Sequence, residues 1–192
     1  MKRILWMALL LVLALPMAAF ASSGIDFTNA GGTLTGTSAG LTLTGSTLIN
    51  INGVTGDLGT VEFATGALSS GTLQGNATFA GGGSFTIWSN TNGTLFSGGF
   101  DGPVTWSLVT LSNGTHNYTL TGSISGSWMG GSSTVYGATV QLTINTGKGF
   151  FNGSTSISSG DTNIVVPEPG SLTLMGTGLL GFAGVLRRKL KG

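Results

Sequence analysis

Reactive side chains are sparse in this chain. It has one histidine, His116, no cysteine, and six carboxylates in 192 residues. Cysteine nucleophiles and zinc sites of the usual His/Cys kind are therefore excluded. A Ser-His-Asp arrangement would have to use His116, which follows Asn113-Gly114-Thr115 and reads as an exposed histidine at a hairpin exit. No Gly-x-Ser-x-Gly stands in the strand-to-helix context that a nucleophile elbow needs. Glycoside hydrolysis requires two facing carboxylates roughly 5 to 10 Å apart. The nearest pair in sequence is Asp57, between glycines in an expected turn, and Glu62, in an expected strand between Val61 and Phe63. Both read as solvated charges on a polar face, which leaves a glycan hydrolase only as a remote alternative.

Two other chemistries are worth weighing. Calcium takes oxygen ligands from turns, and Asp101-Gly102 and Gly160-Asp161-Thr162-Asn163 offer them, but without Asp-x-Asp-x-Asp spacing. Isolated turn aspartates usually satisfy their own backbone, so no metal or cofactor is expected. Aromatic rings could stack on sugars if exposed. Trp88, Trp106, Trp128, Tyr118 and Tyr136 could do so if they share an exposed face, but Trp106 alternates in phase with Val104 and Leu108, so a core is its expected place. Trp88 and Trp128, at strand ends among Ser and Gly, are the candidate glycan-stacking residues. Five Asn-x-Ser/Thr triplets, beginning at Asn76, Asn92, Asn113, Asn117 and Asn152, are what so much Asn, Ser and Thr produces by chance.

The elements that must carry these residues are strands. Apolar and polar residues alternate in Leu41–Thr44, Leu48–Ile51, Val61–Phe63, Phe85–Ile87, Val104–Leu108, Tyr118–Leu120 and Val140–Ile144. That period of two suits half-buried antiparallel strands. Threonine is the favoured polar partner, its β-branched side chain fitting a pleated surface. Asn52-Gly53, Asn92-Gly93, Asn113-Gly114 and Asn152-Gly153 mark hairpin turns between them. Composition alone would suggest a disordered stalk, since residues 22–166 are about a third Ser and Thr and a fifth Gly, far above ordinary usage. The alternation and the scarcity of proline argue against it. The expected fold is all-β, an antiparallel sandwich or barrel-like body. A β-solenoid is the rival, although the glycine spacing shows no fixed period.

The charge is segregated. Six of the seven basic residues lie near the termini, and between residues 22 and 166 only Lys148 faces five carboxylates, leaving that body at −4. A weakly acidic body cannot neutralise phosphates, so nucleic acid is not an expected partner. With no cysteine, an exported body of this size must rest on a hydrophobic core and not on disulfides.

Both termini read as addresses. Residues 1–21 form a secretory signal: Lys2 and Arg3, the apolar run Ile4–Leu15, Pro16, and the small residues Ala19 and Ala21 ahead of cleavage at Ser22. Residues 167–192 hold Pro167-Glu168-Pro169, an apolar glycine-rich stretch to Leu186, and the basic residues Arg187, Arg188, Lys189 and Lys191. The basic end stays on the cytoplasmic side, leaving residues 22–166 outside. The two prolines fix φ and remove two donors, holding the tripeptide extended and unpaired. The apolar stretch is a little short for a permanent span, as suits a transient transmembrane helix.

The order Pro-Glu-Pro, apolar segment, basic end resembles the PEP-CTERM sorting signal of Gram-negative bacteria. The resemblance is confined to the C-terminal 26 residues and carries nothing about the body. It implies an exosortase, a membrane-embedded cysteine transpeptidase, that recognises Pro167, Glu168 and Pro169 and removes the tail. It also implies hosts that make exopolysaccharide and cargo that is surface or matrix material. The expected protein is therefore exported by way of signal peptidase and tethered briefly to the inner membrane. It is then placed at the surface or outside, as a non-enzymatic matrix protein or, alternatively, a carbohydrate-binding module.

Overall fold

The structure is a computed structural model that describes residues 23–131 and 133–166. The signal segment 1–21, the sorting segment 167–192 and the helices expected in both lie outside the described residues. Residues Gly24–Val166 form one compact unit. Among the described residues no helix is long and apolar enough to cross a membrane.

The body is all-β. Its strands are β1 (Ser23–Ala30), β2 (Thr33–Thr37), β3 (Gly40–Ile51), β4 (Val54–Ala64), β5 (Leu68–Gly71), β6 (Ala77–Phe79), β7 (Gly82–Ser89), β8 (Gly93–Phe100), β9 (Val104–Thr110), β10 (His116–Trp128), β11 (Ser133–Asn145), β12 (Ser154–Ser156) and β13 (Ser159–Val166). Every alternating segment in the sequence falls inside one of them. The inward phase is apolar and the outward phase is Thr, Ser or Gln, as in β2, where Leu34 and Gly36 are buried between exposed threonines.

These strands make one sheet that closes on itself. The hydrogen-bonded order β11-β13-β1-β3-β4-β7-β8-β10 returns from β10 to β11, giving a barrel circuit of eight strands. Closure removes the exposed edges of that circuit. The solenoid is thereby overturned: strands meet antiparallel in hairpins and across the chain, whereas a solenoid stacks successive coils. Of the sandwich and the barrel, the closed circuit selects the barrel.

Two bent hairpins organise the closure. β3 pairs β2 through Gly40–Thr44 and then changes partner, pairing β1 through Thr47–Ile51, while β4 lies along its other edge. β10 does the same, pairing β9 through His116–Thr121 and β8 through Ile124–Trp128, with β11 on its other edge. Each switch holds a glycine. Gly45 takes φ +64°, and at Gly122 a Cβ would press on the Phe100 ring at 2.9 Å. A strand changes partner here because the local twist can increase where no side chain crowds it.

The pairing pattern occurs twice. β1–β3, β2–β3, β3–β4 and β4–β7 in the first half correspond to β8–β10, β9–β10, β10–β11 and β11–β13 in the second. The halves then interlock. The last strand of each pairs the first strand of the other, β7 with β8 and β13 with β1, and the short strands cross over, β6 to β9 and β12 to β2. Inward pairs repeat in register: Val61 opposite Ile87, and Val140 opposite Thr162. Only β5 lacks a counterpart.

The interior is filled by two aromatic groups in an aliphatic setting. Phe63, Phe85, Phe96 and Phe100 pack with centroids 5.7 to 6.1 Å apart. Trp106 stacks on Tyr118 at 4.8 Å, and Phe151 closes on Trp106 edge-on at 5.3 Å. Each fully buried large side chain stabilises by about 1.5–3 kcal/mol, so a core of this kind holds a domain without disulfides.

Candidate functional site

The aromatic candidates part company. Trp88, on β7, points outward and is 41 % exposed. Its cross-strand neighbours are Thr60 on β4 and Thr94 on β8, and Thr60 in turn faces Thr47 on β3. The ring therefore stands on a face of hydroxyls, the arrangement a sugar-stacking residue needs. Trp128 was expected at an exposed strand end but is half-buried, packed against the core with its ring 6.0 Å from Phe27. At this end of β10 the ring therefore packs against the core. Trp106 and Tyr118 are core, as their phase required. The side chain of Tyr136 lies outside the described residues.

His116 overturns its expected exposure. It opens β10 as a buried residue, stacked on Phe150 at 4.2 Å, with a buried Nδ1 that has no hydrogen-bond partner. Its backbone N–H donates to Gly147 O, and its carbonyl accepts from Thr146 N, so the 146–151 loop folds over the ring. The turn at Asn113-Gly114 precedes it as expected, but the register points the imidazole inward. No sequence cue separates the two phases at a strand's first residue.

The carboxylates are dispersed. Asp57 lies within β4, not in a turn, beside an irregularity of the β3–β4 register, and its carbonyl accepts from Asn90 Nδ2 at 3.0 Å. Glu62 faces outward, its Oε1 accepting from the Gly45 N–H at 3.4 Å across the partner switch. Asp101 accepts from the Ser125 hydroxyl. Among the described residues no group of three or more His, Asp or Glu side chains could hold a metal ion. Gly36-Thr37-Ser38-Ala39-Gly40 has nucleophile-elbow spacing, yet it turns from β2 into β3 and meets no helix.

One concavity on the barrel exterior was not foreseen. A groove of about 570 Å³ runs over β10, β11 and β13, lined among others by Thr121, Thr139, Gln141, Asp161 and Asn163. Asp161 and Asn163, which the sequence offers as turn oxygens for calcium, lie instead on strand β13. The outward phases of β11 and β13 were visible as Thr-x-Gln and Asp-x-Asn, but nothing local shows that these strands become neighbours.

In sequence, the closed antiparallel barrel is followed by the proline-bounded C-terminal segment. Residues 165–189 match the family model of the PEP-CTERM protein-sorting motif. The chain thus carries an exosortase-type sorting segment, which implies export and membrane-associated processing. No curated protein and no solved structure matches the chain. The sorting tripeptide Pro167-Glu168-Pro169, the basic residues Arg187, Arg188, Lys189 and Lys191, and the signal peptidase residues Ala19 and Ala21 lie outside the described residues. Among those described, β13 runs to Val166, so the barrel ends immediately before the tripeptide.

Proposed function

We propose that this protein is a non-enzymatic component of the cell surface or extracellular matrix, associated with exopolysaccharide. The sorting match at residues 165–189 carries this reading. Signal peptidase removes residues 1–21, the C-terminal segment tethers the chain to the inner membrane, and an exosortase-type transpeptidase acts at Pro167-Glu168-Pro169. What arrives outside is a barrel rich in exposed Thr and Ser with few charges, suited to hydrated polysaccharide surroundings. Intact-mass measurement on protein recovered from the host surface and medium tests it. The expected species begins at Ser22 and ends near Pro169, with any added mass reporting sugar or an attached group. A species retaining Lys189 makes the tail a permanent anchor and removes the proposal.

The exposure of Trp88 among threonines favours a second reading, a carbohydrate-binding module. Its test is retention of the mature protein on host polysaccharide. Trp88→Ala is expected to abolish retention, and Trp128→Ala to act only through stability.

A further inference from the structure

The groove over β10, β11 and β13 has a lateral order that the strand registers make explicit. Thr105 lies opposite Thr121, Thr121 opposite Gln141, and Gln141 opposite Asp161, one residue from each of β9, β10, β11 and β13. A second row, Ser123, Thr139 and Asn163, runs beside it two positions along the strands. All seven are exposed, and Pro103 and Asp26 border the same hollow. A row of this kind offers one polar group per strand, at a step of about 4.8 Å.

We infer that this groove binds an extended, neutral polysaccharide chain lying across the strands. A pyranose ring is about as long as the step between strands, so successive sugars meet successive side chains. The groups are of the right kind: hydroxyls and amides both donate and accept, and the Asp161 carboxylate accepts from paired sugar hydroxyls. The volume falls within the range of roughly 300–1,000 Å³ usual for ligand sites. Charge selects the class. Asp26 and Asp161 repel anionic glycans, and the body's one basic residue, Lys148, is not in the groove.

The hydrogen-bonding capacity here is also uncommitted. Elsewhere on the surface Glu62 is bonded to Gly45, Asp101 to Ser125, and Asn117 to Asn145. Gln141, Asp161 and Asn163 hold no such side-chain bond among the described residues. The strands beneath them are fixed by ladders on both sides of β11, so the spacing of the array is set before binding. This assignment deepens the polysaccharide reading and places contact three strands round the barrel from Trp88.

Calorimetric titration of the mature exported protein with cellohexaose, maltohexaose and oligogalacturonate tests it. One of the two neutral hexasaccharides is expected to bind and the anionic one to fail. Gln141→Ala combined with Asp161→Ala should weaken that binding at least tenfold with the thermal midpoint unchanged. Binding by oligogalacturonate alone, binding by neither neutral probe, or binding indifferent to the groove variants overturns the inference. Retention on host polysaccharide, measured in parallel, separates the two readings. If it persists while the groove variants have no effect, the groove is wrong and the surface role stands. If the unaltered protein is neither retained nor binds a neutral probe, both fall.

Discussion

Tyr118 shows how one side chain joins distant parts of this barrel. Its hydroxyl donates to Gln74 O at 2.8 Å and accepts from the Phe151 N–H at 3.1 Å, fastening the β5–β6 connection and the 146–153 loop to β10. Tyr118→Phe keeps the packing and leaves the buried Phe151 amide without its acceptor. The expected loss is about 1–3 kcal/mol, read as a lower urea midpoint with unchanged slope. Gly98 makes a different demand. It sits opposite Gly126 where β8 and β10 come close, and a Cβ there would overlap the Ser125 carbonyl oxygen. Gly98→Ala should therefore cost about 1–3 kcal/mol through forced strand separation, while Gly102→Ala, where a Cβ meets nothing, serves as the control. The sequence marked Tyr118 as an inward residue of a strand. It could not show the hydroxyl's two partners, because Gln74 and Phe151 come from loops 44 and 33 positions away.

At the scale of elements, hairpin turns and strands were legible in different degrees. Asn52-Gly53 forms the β3–β4 turn with φ of +48° and +87°, as a two-residue turn of this kind requires. Gly53→Val is expected to destabilise by about 1–2 kcal/mol, since left-handed backbone opposes a β-branched residue, and to raise amide exchange first at the tips of β3 and β4. Asn92-Gly93 and Asn113-Gly114 likewise stand between consecutive strands, β7–β8 and β9–β10. Asn152-Gly153 instead leads into β12, which pairs not with its neighbours in sequence but with β2. A turn cue reports local backbone geometry and is silent about the partner. The partner switches in β3 and β10 were hidden for the same reason: alternation shows which face is inward and carries no information about which strand lies alongside.

As a whole molecule the body is two interlocked copies of one pattern, and neither copy can close alone. Separated, the first half would expose the edges of β7 and β1 and leave β2 without β12, and the second half would be stripped in the same way. Division between β7 and β8, at Asn92, should give two fragments that are unfolded singly and form a one-to-one complex with the circular dichroism of the intact body when refolded together. A first half that folds as a stable monomer would refute the interlocking. The same topology predicts slow folding, because closure joins β1 to β13 across nearly the whole body before the core is complete. The groove and the Trp88 face are products of this scale too, each completed by a pairing of non-consecutive strands, β11 with β13 and β4 with β7.

The sequence by itself determined what local chemistry can determine. Alternation set strands and their inward faces, Asn-Gly pairs set three of the hairpin turns, the absence of cysteine excluded disulfides, and the terminal segments set export and sorting. Tertiary structure alone decided that the sheet closes into a barrel, that the chain holds a twofold repeat, that His116 and Trp128 turn toward the interior, and that β10, β11 and β13 lie side by side. The physical reason is the range of the interactions. A side chain's preference for a face is written within a few residues, whereas strand partnership is a choice among many near-equal backbone ladders, settled only when the whole core packs.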